Sequence, residues 1–257
     1  MRCKSLFVVA ITILSGAPRQ AKADLTLGTA GNFAVLAGNS AISGSSVTTG
    51  GYVGAMNSVT GFSGSTVLNG GTVVSNAMTN FNTAFNAASH LQPTQTLSGN
   101  LNGLTLTSGV YYLGNAAQLS GTLTLNDQGN PNAQFVFQIG SALTTASGWK
   151  VMTINGGSAS GNNVFWEVGN AATLGTNSTF EGHILAGNNI VLGSGATILN
   201  GSAVAGSSVV LSGNNHITNT NTLSAPEPST LPFALIGGGA MMGIPALGRW
   251  WREGRKG

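Results

Sequence analysis

Four stretches of this sequence fall into one register: FQIGSALTTASG (137–148), WEVGNAATLGTN (166–177), ILAGNNIVLGSG (184–195) and AVAGSSVVLSGN (203–214). Each opens with an apolar residue, an outward position, a second apolar residue and a glycine. A short apolar run follows, predicted as strands over residues 141–145, 170–174, 188–192 and 207–211. A small polar turn closes each unit. The aligned glycines Gly140, Gly169, Gly187 and Gly206 lie 29, 18 and 19 residues apart, and the long first interval holds a glycine-rich loop at residues 155–163. A period of 18–19 suits a coil of three short strands and three tight turns. A unit that small cannot bury its own apolar face, so the units must stack. Stacking puts like residues above like, about 4.8 Å apart. One inward column is then Phe137, Trp166, Ile184 and Ala203, which tapers as a narrowing core or a capped end would. The next is Ile139, Val168, Ala186 and Ala205. Glycine recurs at the corners, where backbones approach closely or φ turns positive.

One segment breaks the strand pattern. Residues 75–91 (SNAMTNFNTAFNAASHL) carry Met78, Phe81, Phe85 and Ala88 at spacings of three and four, one face of a helix. Ser75 is its expected N-cap, His90 closes it, and Pro93 lies just beyond. The helix should lie along the stack with that face buried.

Composition narrows the function. Charged residues are 6% of the chain and hydrophobic ones 42%, so a core is affordable and charge-driven disorder is excluded. Eight of the nine basic residues lie at the two ends. Between Asp24 and Ser224 the only base is Lys150, against Asp24, Asp127, Glu167 and Glu181. A nucleic-acid binder needs a basic stripe, and the body has none. The single cysteine, Cys3, falls in a segment expected to be removed, leaving no disulfide or thiolate chemistry.

The ends read as addresses. Residues 1–23 have the form of a secretory signal peptide. Arg2 and Lys4 precede an apolar stretch at 6–14, and Ala21-Lys22-Ala23 makes a small-x-small cleavage site. The body then spans 24–224. Residues 225–257 are tripartite: Pro226-Glu227-Pro228, an apolar run at 231–248, and the basic tail Arg249, Arg252, Arg255 and Lys256. This end resembles the PEP-CTERM sorting signal of Gram-negative bacteria that make exopolysaccharide. The resemblance implies transient anchoring in the inner membrane and cutting by a sorting transpeptidase. A permanent C-terminal anchor is the alternative, weakened by Gly237-Gly238-Gly239 and Pro245.

Several ordered motifs point to a family. They are residues 32–38 (NFAVLAG), 104–112 (LTLTSGVYY), 123–140 (LTLNDQGNPNAQFVFQIG), 163–169 (NVFWEVG) and 172–180 (ATLGTNSTF). Together they resemble the DUF3494 ice-binding proteins, from about residue 25 to 218. The resemblance implies an all-β fold: a right-handed, discontinuous parallel β-helix of triangular section with one long α-helix alongside. It also implies a secreted protein whose partner is the ice surface and which needs no cofactor.

Adsorption to ice calls for a rigid face with regularly spaced hydroxyls and methyls. Threonine supplies one of each on a stiff β-branched stem. A low charge density avoids tightly held hydration shells. Two outward columns follow the apolar strands. One reads Ser147, Thr176, Ser194 and Ser212; the other reads Lys150, Thr179, Thr197 and Asn215. In the family a T-G-x-T motif recurs here. It appears as Thr176-Asn177-Ser178-Thr179, Ser194-Gly195-Ala196-Thr197 and, more loosely, residues 212–215. Trp149 and Lys150 depart from it and are expected to end or tilt the face. Threonine and serine also suit solenoid corners for purely structural reasons.

Other chemistries fit poorly. Glu167 and Glu181 are candidate paired carboxylates, but the register puts them on different faces. His90, His183 and His216 have no partner at metal-ligand spacing; His183 aligns with Phe165 and Ser202, and His216 ends the ladder. A β-helical polysaccharide lyase needs an Asp, Lys and Arg cluster, and the body has no arginine. The remaining alternative is a structural or adhesive protein of the exopolysaccharide matrix, with Trp149, Tyr111 or Tyr112 lining a groove. An ice binder predicts instead that Thr176, Thr179, Ser194 and Thr197 share one exposed plane.

Overall fold

The inward columns organise the whole stack. In the computed structural model, which describes residues 25–156 and 163–220, the chain winds through three parallel sheets. Sheet A has nine strands, in spatial order Val67–Asn69, Tyr52–Ala55, Phe33–Ala37, Ala203–Ala205, His183–Ala186, Val164–Val168, Phe135–Ile139, Gly109–Leu113 and Gln95–Thr96. Sheet B has seven: Ala117–Leu119, Leu143–Thr145, Ala172–Leu174, Ile190–Leu192, Ser208–Leu211, Ser40–Ser43 and Ser58–Thr60. Sheet C also has seven: Thr48–Thr49, His216–Ile217, Thr197–Leu199, Thr179–Glu181, Lys150–Ile154, Thr122–Asn126 and Thr105–Thr107. From Phe135 to Ile217 the chain visits A, B and C in turn, one coil per repeat.

The order is discontinuous. The N-terminal strand Phe33–Ala37 pairs with Ala203–Ala205, so Val35 faces Ala203 and Ala37 faces Ala205. The first coils therefore stack on the last ones. Asn219 fastens the join, its Nδ2 donating to the carbonyls of Gly31 at 2.8 Å and Phe33 at 2.9 Å. The first inward column runs as expected through Phe137, Trp166, Ile184 and Ala203. Its taper does not mark an end, because Val35, Val53 and Val67 continue it. His216 does not end its ladder either, since Thr48 pairs beyond it. The aromatic part of the column is a stack: Phe137 and Trp166 lie 3.9 Å apart with ring planes 8° from parallel. Tyr111 stacks on Phe137 at 5.4 Å. Buried aromatic pairs add to the area they already remove from water.

The aligned glycines stand at the A-to-B corner because no side chain fits there. A Cβ on Gly206 would lie 2.4 Å from the Gly187 carbonyl oxygen, and one on Gly187 would lie 2.7 Å from that of Gly169. Successive corners touch backbone to backbone, which keeps the coils in register.

Among the described residues one long helix, α1, is present, spanning Gly71–Ser89. It starts a turn earlier than residue 75. Gly70 and Gly71 take positive φ and carry the chain straight out of the edge strand Val67–Asn69, and no side chain caps the end. Ser75 is thus inside the helix and exposed. The buried stripe is Val74, Ala77, Phe81, Ala84 and Ala88, with Met78 and Phe85 half-buried beside it. It packs on the outward side of sheet A, against Phe33, Leu36, Val136, Phe165, Leu185 and Val204. His90 is the C-cap, and its Nδ1 lies 2.7 Å from the Asn86 carbonyl oxygen. Sheet A is therefore covered on both faces, and its outward side is largely apolar, with Gln138, Glu167 and His183 as buried polar exceptions.

Candidate functional site

With sheet A roofed by α1, the exposed surfaces are the outward sides of sheets B and C. In most strands of sheet B an outward residue stands between two inward ones, which are apolar except for the buried Thr145 and Ser43. The middle residues stack as Gln118, Thr144, Thr173, Val191, Val210, Ile42 and Thr60. Every one is exposed or half-buried, and none carries a charge. Sheet C is less uniform. Its leading outward column is Thr122, Lys150, Thr179, Thr197, His216 and Thr48, and Met152 projects nearby at 45% exposure.

Five of the turns from sheet B to sheet C have four residues, whereas Ser120-Gly121 has only two, and the backbone bonds of the five fix their alignment. Gly148 N–H donates to Thr176 O, Asn177 to Ser194, Gly195 to Gly213, and Asn214 to Ser45. The third turn position is left-handed in every case: Gly148, Asn177, Gly195, Asn214 and Ser46 all have φ between 45° and 72°. Glycine and asparagine tolerate that region best. The second position is then Ser147, Thr176, Ser194, Gly213 and Ser45. Ser147 and Thr176 are exposed, and Ser194 is half-buried. The Ser147 and Thr176 hydroxyls lie 3.1 Å apart.

Two expected site residues move. Ser212 is exposed but aligns with Gly193, one place before the hydroxyl column, because Ser212 N–H bonds Leu192 O as Gly193 N–H bonds Leu174 O. Asn215 is 1% exposed and points inward. Its Nδ2 donates to the carbonyls of Gly193 at 2.8 Å and Ala196 at 3.0 Å, and its Oδ1 accepts from Gly213 N–H at 2.9 Å. It is an internal brace for the turns. Gly213 and His216 hold the two outward places instead, followed by Ser45 and Thr48. Thr179 and Thr197 are Cα partners on adjacent rungs, as expected, and both are half-buried. Thr197 Oγ1 donates to Ser178 O at 3.3 Å. These two open the strands of sheet C, so with Thr176 and Ser194 they wrap the B–C corner.

Trp149 does not interrupt the surface. It is fully buried, with ring centroids 6.3 Å from Trp166 and 5.6 Å from Phe180. Tyr111 is buried as well, while Tyr112 is 40% exposed. Two of the three aromatics that would line a sugar-binding groove thus belong to the core. Lys150 is exposed and sits directly beside Thr179 in sheet C.

The carboxylates form no convergent cleft. Glu167 lies in sheet A and Glu181 in sheet C, each 5% exposed. Burial pushes the Glu167 carboxyl up to about 7. Burial also raises Glu181, opposed by Asn200 Nδ2 donating to its Oε1 at 2.8 Å and helped by the charge of Asp127. His183, nearly fully buried, pairs with Ser202 Oγ at 2.8 Å and stacks on Phe165. Among the described residues no group of three or more His, Cys, Asp or Glu side chains is placed to hold a metal ion.

Comparison with known proteins decides the family. The ice-binding-like family matches residues 20–218. The chain belongs to that family. An ice-binding protein of Nostoc sp. (strain HG1) is 39% identical over 265 residues, covering 98% of this chain and 97% of that protein. The crystal structure of an ice-binding protein from the Antarctic ascomycete Antarctomyces psychrotrophicus superposes with a TM-score of 0.72 at 36% identity, covering 77% of this chain and 99% of that one. The DUF3494 domain of Shewanella frigidimarina ice-binding protein 1 superposes with a TM-score of 0.65 at 25% identity, covering 77% and 98%. The family's coiled three-sheet scaffold with one long helix is the scaffold of this chain.

Proposed function

We propose that this family member adsorbs to ice through the outward side of sheet B and the hydroxyl column of the adjoining turns. The observation that carries the assignment is the uncharged, in-register row Thr144, Thr173, Val191, Val210 and Ile42, flanked by Ser147, Thr176 and Ser194. Successive members stand one rung apart, about 4.8 Å, close to the distance between oxygen rows in ice. Hydroxyls hold water at lattice-like positions, and the methyl groups between them leave that water free to order. The ladder below holds the row rigid, so little side-chain entropy is lost on contact. Thr179 and Thr197 form the rim of this surface. Lys150 and His216 bound the rim, since neither side chain offers the paired hydroxyl and methyl of the threonines. The function is physical adsorption rather than catalysis.

The sequence of the two ends supports export. The signal-like residues 1–23 and the tripartite residues 225–257 lie outside the described residues. Their composition fits a protein released to, or held at, the cell exterior of a Gram-negative bacterium, where growing ice is met.

Ice recrystallisation inhibition by the purified protein tests the reading. A Thr173→Tyr/Thr176→Tyr variant should lose activity at unchanged thermal stability, while Met152→Tyr on sheet C should retain it. An inactive parent, or equal activity in both variants, overturns the assignment.

A further inference from the structure

Three carboxylates lie among the described residues: Asp127, Glu167 and Glu181. Two of them, Asp127 and Glu181, stand where the chain leaves sheet C for sheet A. Glu181 is the last residue of its sheet C strand. Asp127 directly follows the strand Thr122–Asn126, and its N–H donates to Ile154 O at 3.0 Å. Between them in the stack runs the coil that turns at residues 155–163.

The Asp127 carboxylate is sealed and unpaired. Both of its oxygens are buried, and among the described residues neither has a hydrogen-bond partner. The donors next to it are committed elsewhere. Gln128 N–H donates to Asn126 Oδ1 at 2.9 Å, and Asn155 Nδ2 donates to the same oxygen at 3.0 Å. Gly129 N–H goes to Asn155 O, and Asn130 N–H goes to the Asp127 carbonyl. Glu181 is also buried, and Asn200 Nδ2 fixes its Oε1 at 2.8 Å, leaving Oε2 for a ligand. The two carboxyls are close enough for the charge of Asp127 to be felt at Glu181. No base answers them. Lys150 opens the strand that ends at Ile154, about 13 Å away along the chain. Residues 157–162 add no charge in sequence, and His183 is bonded to Ser202 and stacked on Phe165. A carboxylate taken out of water without a donor is costly. A proton removes the charge but supplies neither oxygen with a donor. A hard divalent cation, which takes oxygen ligands, satisfies both carboxylates at once.

We propose that Asp127 and Glu181 bind one calcium ion, which clasps the C-to-A corner across the coil of residues 155–163. Two carboxylates carried on separate coils impose no rigid octahedron, which suits calcium better than magnesium, and water completes the shell. So small a protein donor set makes a weak site, with a dissociation constant of about 0.1–1 mM. The clasp is independent of the ice-contact surface, which lies on sheet B and the B–C corner.

Terbium luminescence of the purified protein, with terbium standing in for calcium, tests the site. Trp166 Nε1 donates to the Glu181 carbonyl at 3.0 Å, so an ion held by the Glu181 carboxylate sits within reach of an indole sensitiser. Tryptophan excitation should give saturable terbium emission that calcium displaces. Asp127→Asn and Glu181→Gln should each weaken the binding by about tenfold or more. Glu167→Gln, which removes the acid outside the corner, should leave it unchanged. Calcium chloride at about 10 mM should raise the parent's thermal midpoint by about 4 °C or more over protein in EDTA at matched ionic strength. In EDTA the Asp127→Asn protein should be the more stable of the two, and calcium should remove that advantage. No displaceable emission from the parent, or emission and calcium shift equal in parent and Asp127→Asn, overturns the site.

Discussion

The hydroxyls of Ser147 and Thr176 lie 3.1 Å apart, joining two successive turns between sheets B and C. The contact aligns the first two hydroxyls of the turn column, but both groups are exposed, so water competes for the bond. An exposed hydrogen bond of this kind is worth about 0.5 kcal/mol or less to stability. Thr176→Val keeps the shape and the methyl and removes the hydroxyl. Its thermal midpoint should match the parent's to within about 2 °C. Its potency in recrystallisation inhibition should fall by about tenfold, equivalent to about 1.4 kcal/mol of adsorption energy. A melting curve and a recrystallisation series on one preparation separate the two effects.

Asn215 gives the opposite signature. Its amide bridges the carbonyls of Gly193 and Ala196 inside the stack and never reaches the surface. Asn215→Ala leaves those acceptors short of a partner in a dry place, at a cost of about 1–3 kcal/mol. Urea unfolding should show the loss, while ice activity per folded molecule stays at the parent level. Lost ice activity at full stability would return Asn215 to the surface.

How far the sequence reveals these features depends on whether the signal is local. The coil register is readable because successive A-to-B corners from Gly140 to Gly206 leave no room for a side chain, so Gly140, Gly169, Gly187 and Gly206 index the rungs. The outward threonines Thr144 and Thr173 are equally local, in the alternations Leu143-Thr144-Thr145 and Ala172-Thr173-Leu174. They are missed when attention goes to the T-x-x-T spacing across the turn. The slip at Ser212 and Asn215 has the same origin. Matching residues by hydroxyl type puts Ser212 under Ser194, whereas counting four turn residues from Leu211 puts Gly213 there. The pairing of Val35 with Ala203 has no local signal at all, because both strands are simply apolar and the partner is chosen by the closed stack. Helix α1 begins early for a similar reason: its first turn is set by the exit from an edge strand and not by a capping side chain.

Trp166 is the centre of the aromatic layer. It stacks on Phe137 at 3.9 Å, lies 4.8 Å from Phe180, and its Nε1 donates to the Glu181 carbonyl at 3.0 Å. Trp166→Ala removes all three contacts and leaves a cavity, at a cost of about 3–5 kcal/mol. At about 2–4 °C per kcal/mol for a body of this size, the midpoint should drop by about 10 °C. Trp166→Phe retains the stack and loses the N–H bond, so it should lose only about 1 kcal/mol. Calorimetry on the two variants checks the division between stacking and the hydrogen bond.

Asp127 sets the sign of a pH dependence. The residue is 3% exposed, and among the described residues neither carboxylate oxygen has a hydrogen-bond partner. Burial raises its pKa above the ordinary 3.8. The folded state therefore keeps the proton over a range where the unfolded chain has lost it. Stability falls as pH climbs upward from about 4 through that range, and the penalty is complete above the folded value. Asn at this position stays neutral throughout. Asp127→Asn should match the parent below about pH 3.5 and exceed it by about 1–3 kcal/mol at pH 8, as read by urea unfolding at the two values. The charge of Asp127 also helps to raise Glu181, so the same substitution should move the Glu181 titration downward in an NMR pH series. Variant and parent equally stable at pH 8, with Glu181 unmoved, would mean that the Asp127 carboxylate is satisfied in solution by a group the fold does not supply.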